Sequence, residues 1–123
     1  MRNILLALAA VLGLAQTAVA GDADAGKNLT MVCSACHAAD GNSAVPTFPK
    51  LAGQGEKYLL KQLHDIKSGE RPVPTMAGQL DNMSDADMEN IAAYYASQTM
   101  TAGQTAPDLL PQGETVYRGG DSS

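Results

Sequence analysis

The sequence predicts an all-α fold, and three observations carry that prediction. Apolar residues recur at helical spacing in two stretches, Tyr58 to Ile66 and Met88 to Tyr95. No segment alternates apolar and polar residues with the two-residue period of a half-buried strand. Gly and Pro collect between the periodic stretches, in Asp40 to Gly55 and Gly69 to Asn82, which read as loops. At 123 residues the chain suits one small domain.

The first element is an export leader. Met1-Arg2-Asn3 is a short basic start, Ile4 to Ala15 is apolar, and Ala18-Val19-Ala20 is an A-x-A cleavage site. An uncleaved anchor is the competing reading. Gln16 and Thr17 interrupt the apolar run, which falls short of the about 20 residues a membrane helix needs. Cleavage after Ala20 removes 20 of the 123 residues and leaves 103, starting at Gly21.

Helices dominate the rest of the chain. The first is expected from Asp24 to Cys33, with Asp22 or Asp24 as N-cap. Gly26 lies inside it at a cost of about 1 kcal/mol relative to Ala, which marks close contact with another element. The second runs from Glu56 to Ser68 with Tyr58, Leu59, Leu63 and Ile66 on one face and Gly69 as its stop. His64 reads as a surface residue of this helix. The third starts at Ser84, with Asp87 three residues on completing a capping box. Asp85, Asp87 and Glu89 favour its N-terminus through the helix dipole. Met88, Ile91, Ala92 and Tyr95 form its core face. Gln98 to Pro111 reads as a linker, and Gly113 to Gly120 loosely echoes Gly26 to Val32.

Composition narrows the function. One Phe, four Tyr and no Trp make a thin core for a domain of this size, so a bound apolar group would supply missing bulk. Without Arg2 the eight basic residues become seven against 13 acidic ones, a net charge of −6. That excludes nucleic acid as a partner and suits proteins with a basic docking face.

The chemistry lies in Cys33-Ser34-Ala35-Cys36-His37, which uses both cysteines of the chain. C-x-x-C-H is the attachment signature of c-type haem. A spacing of three puts the thiols about one helical turn apart, where each can add across a porphyrin vinyl group. His37 can then ligate the iron. A thioredoxin-like redox pair is expected beside a βαβ pattern, which is absent here. Zinc would need four ligands, and the only other histidine is His64. A disulfide across two residues would close too small a loop to stabilise much. Covalent haem is joined to C-x-x-C-H outside the cytoplasm in bacteria, which agrees with the leader.

Beyond the motif, the chain resembles the class I c-type cytochromes, and most of all the N-terminal half of the dihaem cytochrome c4 family. The resemblance rests on Cys33 to His37, Asp40-Gly41-Asn42-Ser43 and Phe48-Pro49-Lys50-Leu51-Ala52-Gly53-Gln54. It continues through Tyr58 to Leu63, Asp65 to Gly69, Leu80 to Ser84 and Ile91-Ala92-Ala93-Tyr94-Tyr95. It implies a class I cytochrome c fold, three or more helices packed around one covalently bound haem c, over residues 21–100. Residues 101–123 would be a linker and the opening of a second haem domain that is absent here.

The same resemblance assigns the other site residues. The family places its second axial ligand in the loop before the C-terminal helix, and the matching position is Met76, between two prolines and Gly78. Met83, in the same loop, is the rival. Pro49 matches the proline whose carbonyl accepts the Nδ1–H of the proximal histidine. Tyr58, Arg71 and Lys50 are candidates for the haem propionates, or else solvated side chains. By resemblance the protein is a non-enzymatic electron carrier of the periplasm, sometimes associated peripherally with the membrane. It would pass single electrons from a quinol-oxidising complex toward a terminal oxidase in the respiratory chain. The alternatives are a cytochrome subunit of a larger dehydrogenase, or a five-coordinate haem that binds a gas.

Overall fold

The computed structural model describes residues 20–120. The leader read in residues 1–20 therefore lies, except for Ala20, outside the described residues. The elements are α1 (Ala23–Leu29), α2 (Met31–His37), α3 (Glu56–Ser68), α4 (Asp85–Ser97) and α5 (Leu110–Gly119), with a 3₁₀ turn at Pro74–Met76. No strand occurs among the described residues, as the all-α prediction requires. No described helix is long and apolar enough to cross a membrane.

α1 is capped by Asp22, whose Oδ1 accepts from the amides of Asp24 (2.9 Å) and Ala25 (3.1 Å). The Asp22 amide in turn donates to Asn90 Oδ1 at 2.7 Å, which pins the start of α1 to α4. Gly26 is the crossing point: a Cβ there would lie 2.0 Å from the Asn90 carbonyl oxygen. The close contact expected of this glycine is thus with α4.

The predicted first helix, Asp24 to Cys33, is two helices. Thr30 leaves helical geometry at φ −86°, ψ 7°, and its hydroxyl donates to the Lys27 carbonyl at 2.8 Å. A threonine hydroxyl bonding back to the preceding turn competes with the helical ladder. The chain restarts as α2, which runs on to His37 and so carries the whole C-x-x-C-H motif.

α3 has the expected bounds, and the Gly69 amide closes it on the Ile66 carbonyl at 3.2 Å. α4 opens on the expected capping box: Ser84 Oγ accepts from the Asp87 amide, and Asp87 Oδ2 accepts from the Ser84 amide. Its buried residues are Met88, Ile91, Ala92 and Tyr95, as predicted, together with Ala93 and Tyr94. The stripe widens because α4 is covered by α1 on one side and α3 on the other. Leu59 of α3 completes this core with Ile91, Ala92, Tyr94 and Tyr95.

After α4 the chain runs without regular structure until α5, all of whose residues are exposed. Pro111 sits in the first turn of α5 rather than in a linker. A missing amide costs nothing there, because first-turn amides have no intrahelical partner.

Candidate haem site

α2 delivers three of the predicted site residues from one short helix. His37 is its last residue and is 6% exposed. The chain leaves it through Ala38 at φ 65°, ψ 161°, a region that non-glycine residues rarely occupy and that costs about 1–3 kcal/mol. This turn sends Ala39 to Pro49 back across the imidazole. His37 Nδ1 lies 2.9 Å from the Pro49 carbonyl oxygen. A carbonyl only accepts, so Nδ1 carries the proton and Nε2 keeps its lone pair. The Phe48 ring stands edge-on to the imidazole, 6.3 Å between centroids, and limits its rotation.

Cys33 is half-buried, Cys36 is exposed, and neither is in a disulfide. Burial pushes the Cys33 thiol above its ordinary range, so it is protonated near neutrality. Redox-active C-x-x-C pairs show the opposite, a lowered thiol pKa. No group of three or more His, Cys, Asp or Glu that could hold a metal ion occurs among the described residues, which leaves no support for zinc.

Both cysteines and His37 face a cavity of about 540 Å³ enclosed by α2, α3, α4 and the two loops. Ligand sites are commonly about 300–1,000 Å³ and mostly apolar, with a few placed polar groups. Leu59, Leu63, Ile66, Ile91 and Ala92 supply apolar wall here. Met76 also lines the cavity, at the end of the 3₁₀ turn, where its amide bonds to the Val73 carbonyl at 2.9 Å. Its rival Met83 is not in the cavity wall and packs on the helical core instead. Met88 is fully buried in that core, while Met31 is 81% and Met100 46% exposed. Among the described methionines, the structure brings only Met76 to the cavity.

Lys50, Tyr58 and Arg71, the propionate candidates, line the cavity as well. Two of them already have partners: Lys50 Nζ donates to Thr101, and the Arg71 guanidinium donates to Gln62 Oε1. His64 is a surface residue as expected, 3.9 Å from Asp85. By sequence alone Tyr95 is plain core. Its ring is 1% exposed in the cavity wall, yet its hydroxyl is buried without a hydrogen-bond partner. Burial, first of all, raises its pKa and keeps it protonated. A lone tyrosine in an apolar stripe gives no signal of this. An orphaned hydroxyl costs about 1–3 kcal/mol in an otherwise sealed core. The hydroxyl itself is closed off from the cavity; the apolar wall, the two thiols and the oriented imidazole are what suit a flat apolar group such as haem.

A pair of free thiols one helical turn apart, an oriented imidazole and a largely apolar cavity on an all-helical frame are what a c-type cytochrome domain requires. The chain belongs to the cytochrome c family, whose model, described as Cytochrome c, matches residues 23–99. Within that family it is similar to the cytochromes c4. It is 57% identical to cytochrome c4 of Pseudomonas aeruginosa, over 98% of this chain and 60% of that one. It is 52% identical to cytochrome c4 of Azotobacter vinelandii, over 98% and 62%. The crystal structure of reduced recombinant cytochrome c4 from Pseudomonas stutzeri superposes with a TM-score of 0.78 at 54% identity, covering 83% of this chain and 58% of that chain. The chain spans about three fifths of the length of these relatives. A cytochrome c domain binds haem c covalently, and the single domain here fits one. Its function class is electron transfer.

Proposed function

We propose that this domain is a periplasmic carrier of single electrons, with Cys33 and Cys36 as the haem thioethers and His37 and Met76 as the axial ligands. The observation that carries it is one cavity bringing together two free cysteines, an imidazole with Nδ1 committed to Pro49, and one methionine. The haem supplies the one-electron couple between ferric and ferrous iron. The polypeptide does the rest. Pro49 holds His37 in one tautomer and makes it a better donor. Met76 offers a soft sulfur that favours the reduced metal and raises the potential. The apolar wall from α3 and α4 keeps water out. Exposed Met31, Val32 and Cys36 leave the motif's outer face accessible to a partner.

The formal charge of −5 suits redox partners with basic docking faces, among which a quinol-oxidising complex and a terminal oxidase fit the role. The leader in residues 1–20 would place the domain in the periplasm. Substituting Met76 and Met83 in turn tests the ligand set. Met76→Ala should abolish the sulfur-to-iron charge-transfer band of the ferric protein and lower its potential, while Met83→Ala keeps both. Survival of the band in Met76→Ala would refute the assignment, as would ready binding of carbon monoxide by the unsubstituted ferrous protein at neutral pH.

A further inference from the structure

The amide of Asn42 joins two segments nearly sixty residues apart. Its Nδ2 donates to Asp40 Oδ2 at 2.9 Å and to the Thr99 carbonyl at 3.0 Å. Its Oδ1 accepts from the Thr101 amide at 2.8 Å and the Thr101 hydroxyl at 3.0 Å. Both donors and both lone pairs of the side chain are therefore used. Thr101 is tied from its other side as well, since Lys50 Nζ donates to its carbonyl and its Oγ1, each at 2.8 Å. A closed ring results, Asn42 to Thr101 to Lys50, straddling the loop that returns across His37.

Lys50 directly follows Pro49, whose carbonyl takes the His37 Nδ1–H. On the far side of Lys50, the amides of Leu51 and Ala52 both donate to the Gly41 carbonyl, next to Asn42. The Pro49 carbonyl is thus followed directly by two anchors, the Lys50 side chain on Thr101 and the Leu51 and Ala52 amides on Gly41. The Thr101 bonds are the only described hydrogen bonds of the Lys50 side chain.

We infer that Asn42, Thr101 and Lys50 form a latch by which the segment after α4 positions the Pro49 carbonyl, and so sets the donor strength of His37. Asn42 and Thr101 are positioning residues outside the cavity wall, while Lys50 both lines the cavity and links them to Pro49. The inference rests on His37 as axial ligand. Releasing the latch frees the Lys50 end of this stretch, and the His37 N–H···O=C bond lengthens. A weaker bond makes the imidazole a poorer donor and favours the ferrous state. The segment following α4 becomes a handle on the haem potential.

The test uses the haem-loaded full chain with Thr101→Val, Lys50→Met and Asn42→Ala, and Thr101→Ser as the conservative variant. Asn42→Ala and Thr101→Val should shift the reduction potential upward, the second less because the Thr101 amide and carbonyl bonds remain. These two and Lys50→Met should all move the His37 Nδ1–H proton resonance, with covalent haem and the ferric charge-transfer band retained. Thr101→Ser, which keeps the hydroxyl, should stay at the parental values. If Asn42→Ala folds poorly, the His37 Nδ1–H resonance of Thr101→Val and Lys50→Met decides. A parental N–H resonance in both, with native circular dichroism, would overturn the latch. A failed axial assignment shows itself separately, as a parent protein lacking the His37 Nδ1–H resonance among its haem-shifted signals.

Discussion

Gly41 and Gly78 share the same backbone conformation, φ +78°, yet sit on opposite kinds of structure. Gly41 is buried in the loop after His37, where a Cβ would fall 2.7 Å from the Ala52 amide nitrogen and 2.8 Å from Tyr95 Cδ1. Gly78 is exposed in the loop of Met76, where a Cβ would meet nothing nearer than Asp81 Oδ2 at 3.8 Å. The loops around them differ in the same way. The His37 side is closed by bonds between distant residues: Leu51 and Ala52 to Gly41, Gly53 to Tyr95, Tyr94 to Ala39. The backbone of the Met76 side is a run of local turns, Met76 to Val73, Ala77 to Pro74, Gln79 to Met76 and Met83 to Leu80. One proposed ligand is locked by many tertiary bonds; the other rides on a loop of local turns, tied to α3 through Lys67 at the Met83 carbonyl and by buried Leu80. The imidazole side should therefore resist perturbation until the domain unfolds, and the methionine side should yield first.

Gly41→Ala tests this where the effect is largest. Left-handed geometry costs an alanine about 1–2 kcal/mol, and forcing a methyl into a packed site adds about 1–3 kcal/mol. Denaturant unfolding should therefore show a loss of about 2–5 kcal/mol in the haem-loaded protein. Gly78→Ala meets only the backbone penalty and should lose about 1–2 kcal/mol. Equal losses would mean that the two loops are packed alike, against the comparison. The second variant should also weaken the methionine-to-iron band before global unfolding, which the first should not.

What the sequence reveals divides along the same line. The bounds of α3, its Gly69 stop and the Ser84–Asp87 box are legible because each is decided by residues within one turn of each other. The break at Thr30 is not, since most threonines in such a pattern continue the helix. Burial of Ala93 and Tyr94 depends on two helices covering α4, which a single stripe does not encode. In the site, Cys33, Cys36 and His37 are readable from spacing alone. Pro49 and Met76 come from resemblance, because nothing local marks a proline carbonyl or one methionine among several. Ala38's turn, the orphaned Tyr95 hydroxyl and the Asn42–Thr101 ring exist only once distant segments meet.

The smallest expected effect belongs to the Met76 side, where its loop hands over to α4. Ser84→Ala removes the hydroxyl that accepts from the Asp87 amide and donates to Asp87 Oδ2 at 2.7 Å, but leaves the Ser84 amide bonded to the same carboxylate. Loss of an N-cap of this kind costs about 1 kcal/mol. Hydrogen bonds from the Ser84 side chain, and then from its backbone, hold the Asp87 carboxyl below the usual carboxylate range. A depressed native pKa stabilises the fold above the unfolded value, and that stabilisation drains away as pH falls through the native one. The gap in melting temperature between parent and Ser84→Ala should thus be widest near neutrality and narrow in acid, as the carboxylate that the hydroxyl serves becomes protonated. A gap independent of pH would show that the hydroxyl acts only on the helix amide. The loop before α4 would then be anchored without help from Asp87, and the Met76 side would be more firmly held than its local turns suggest.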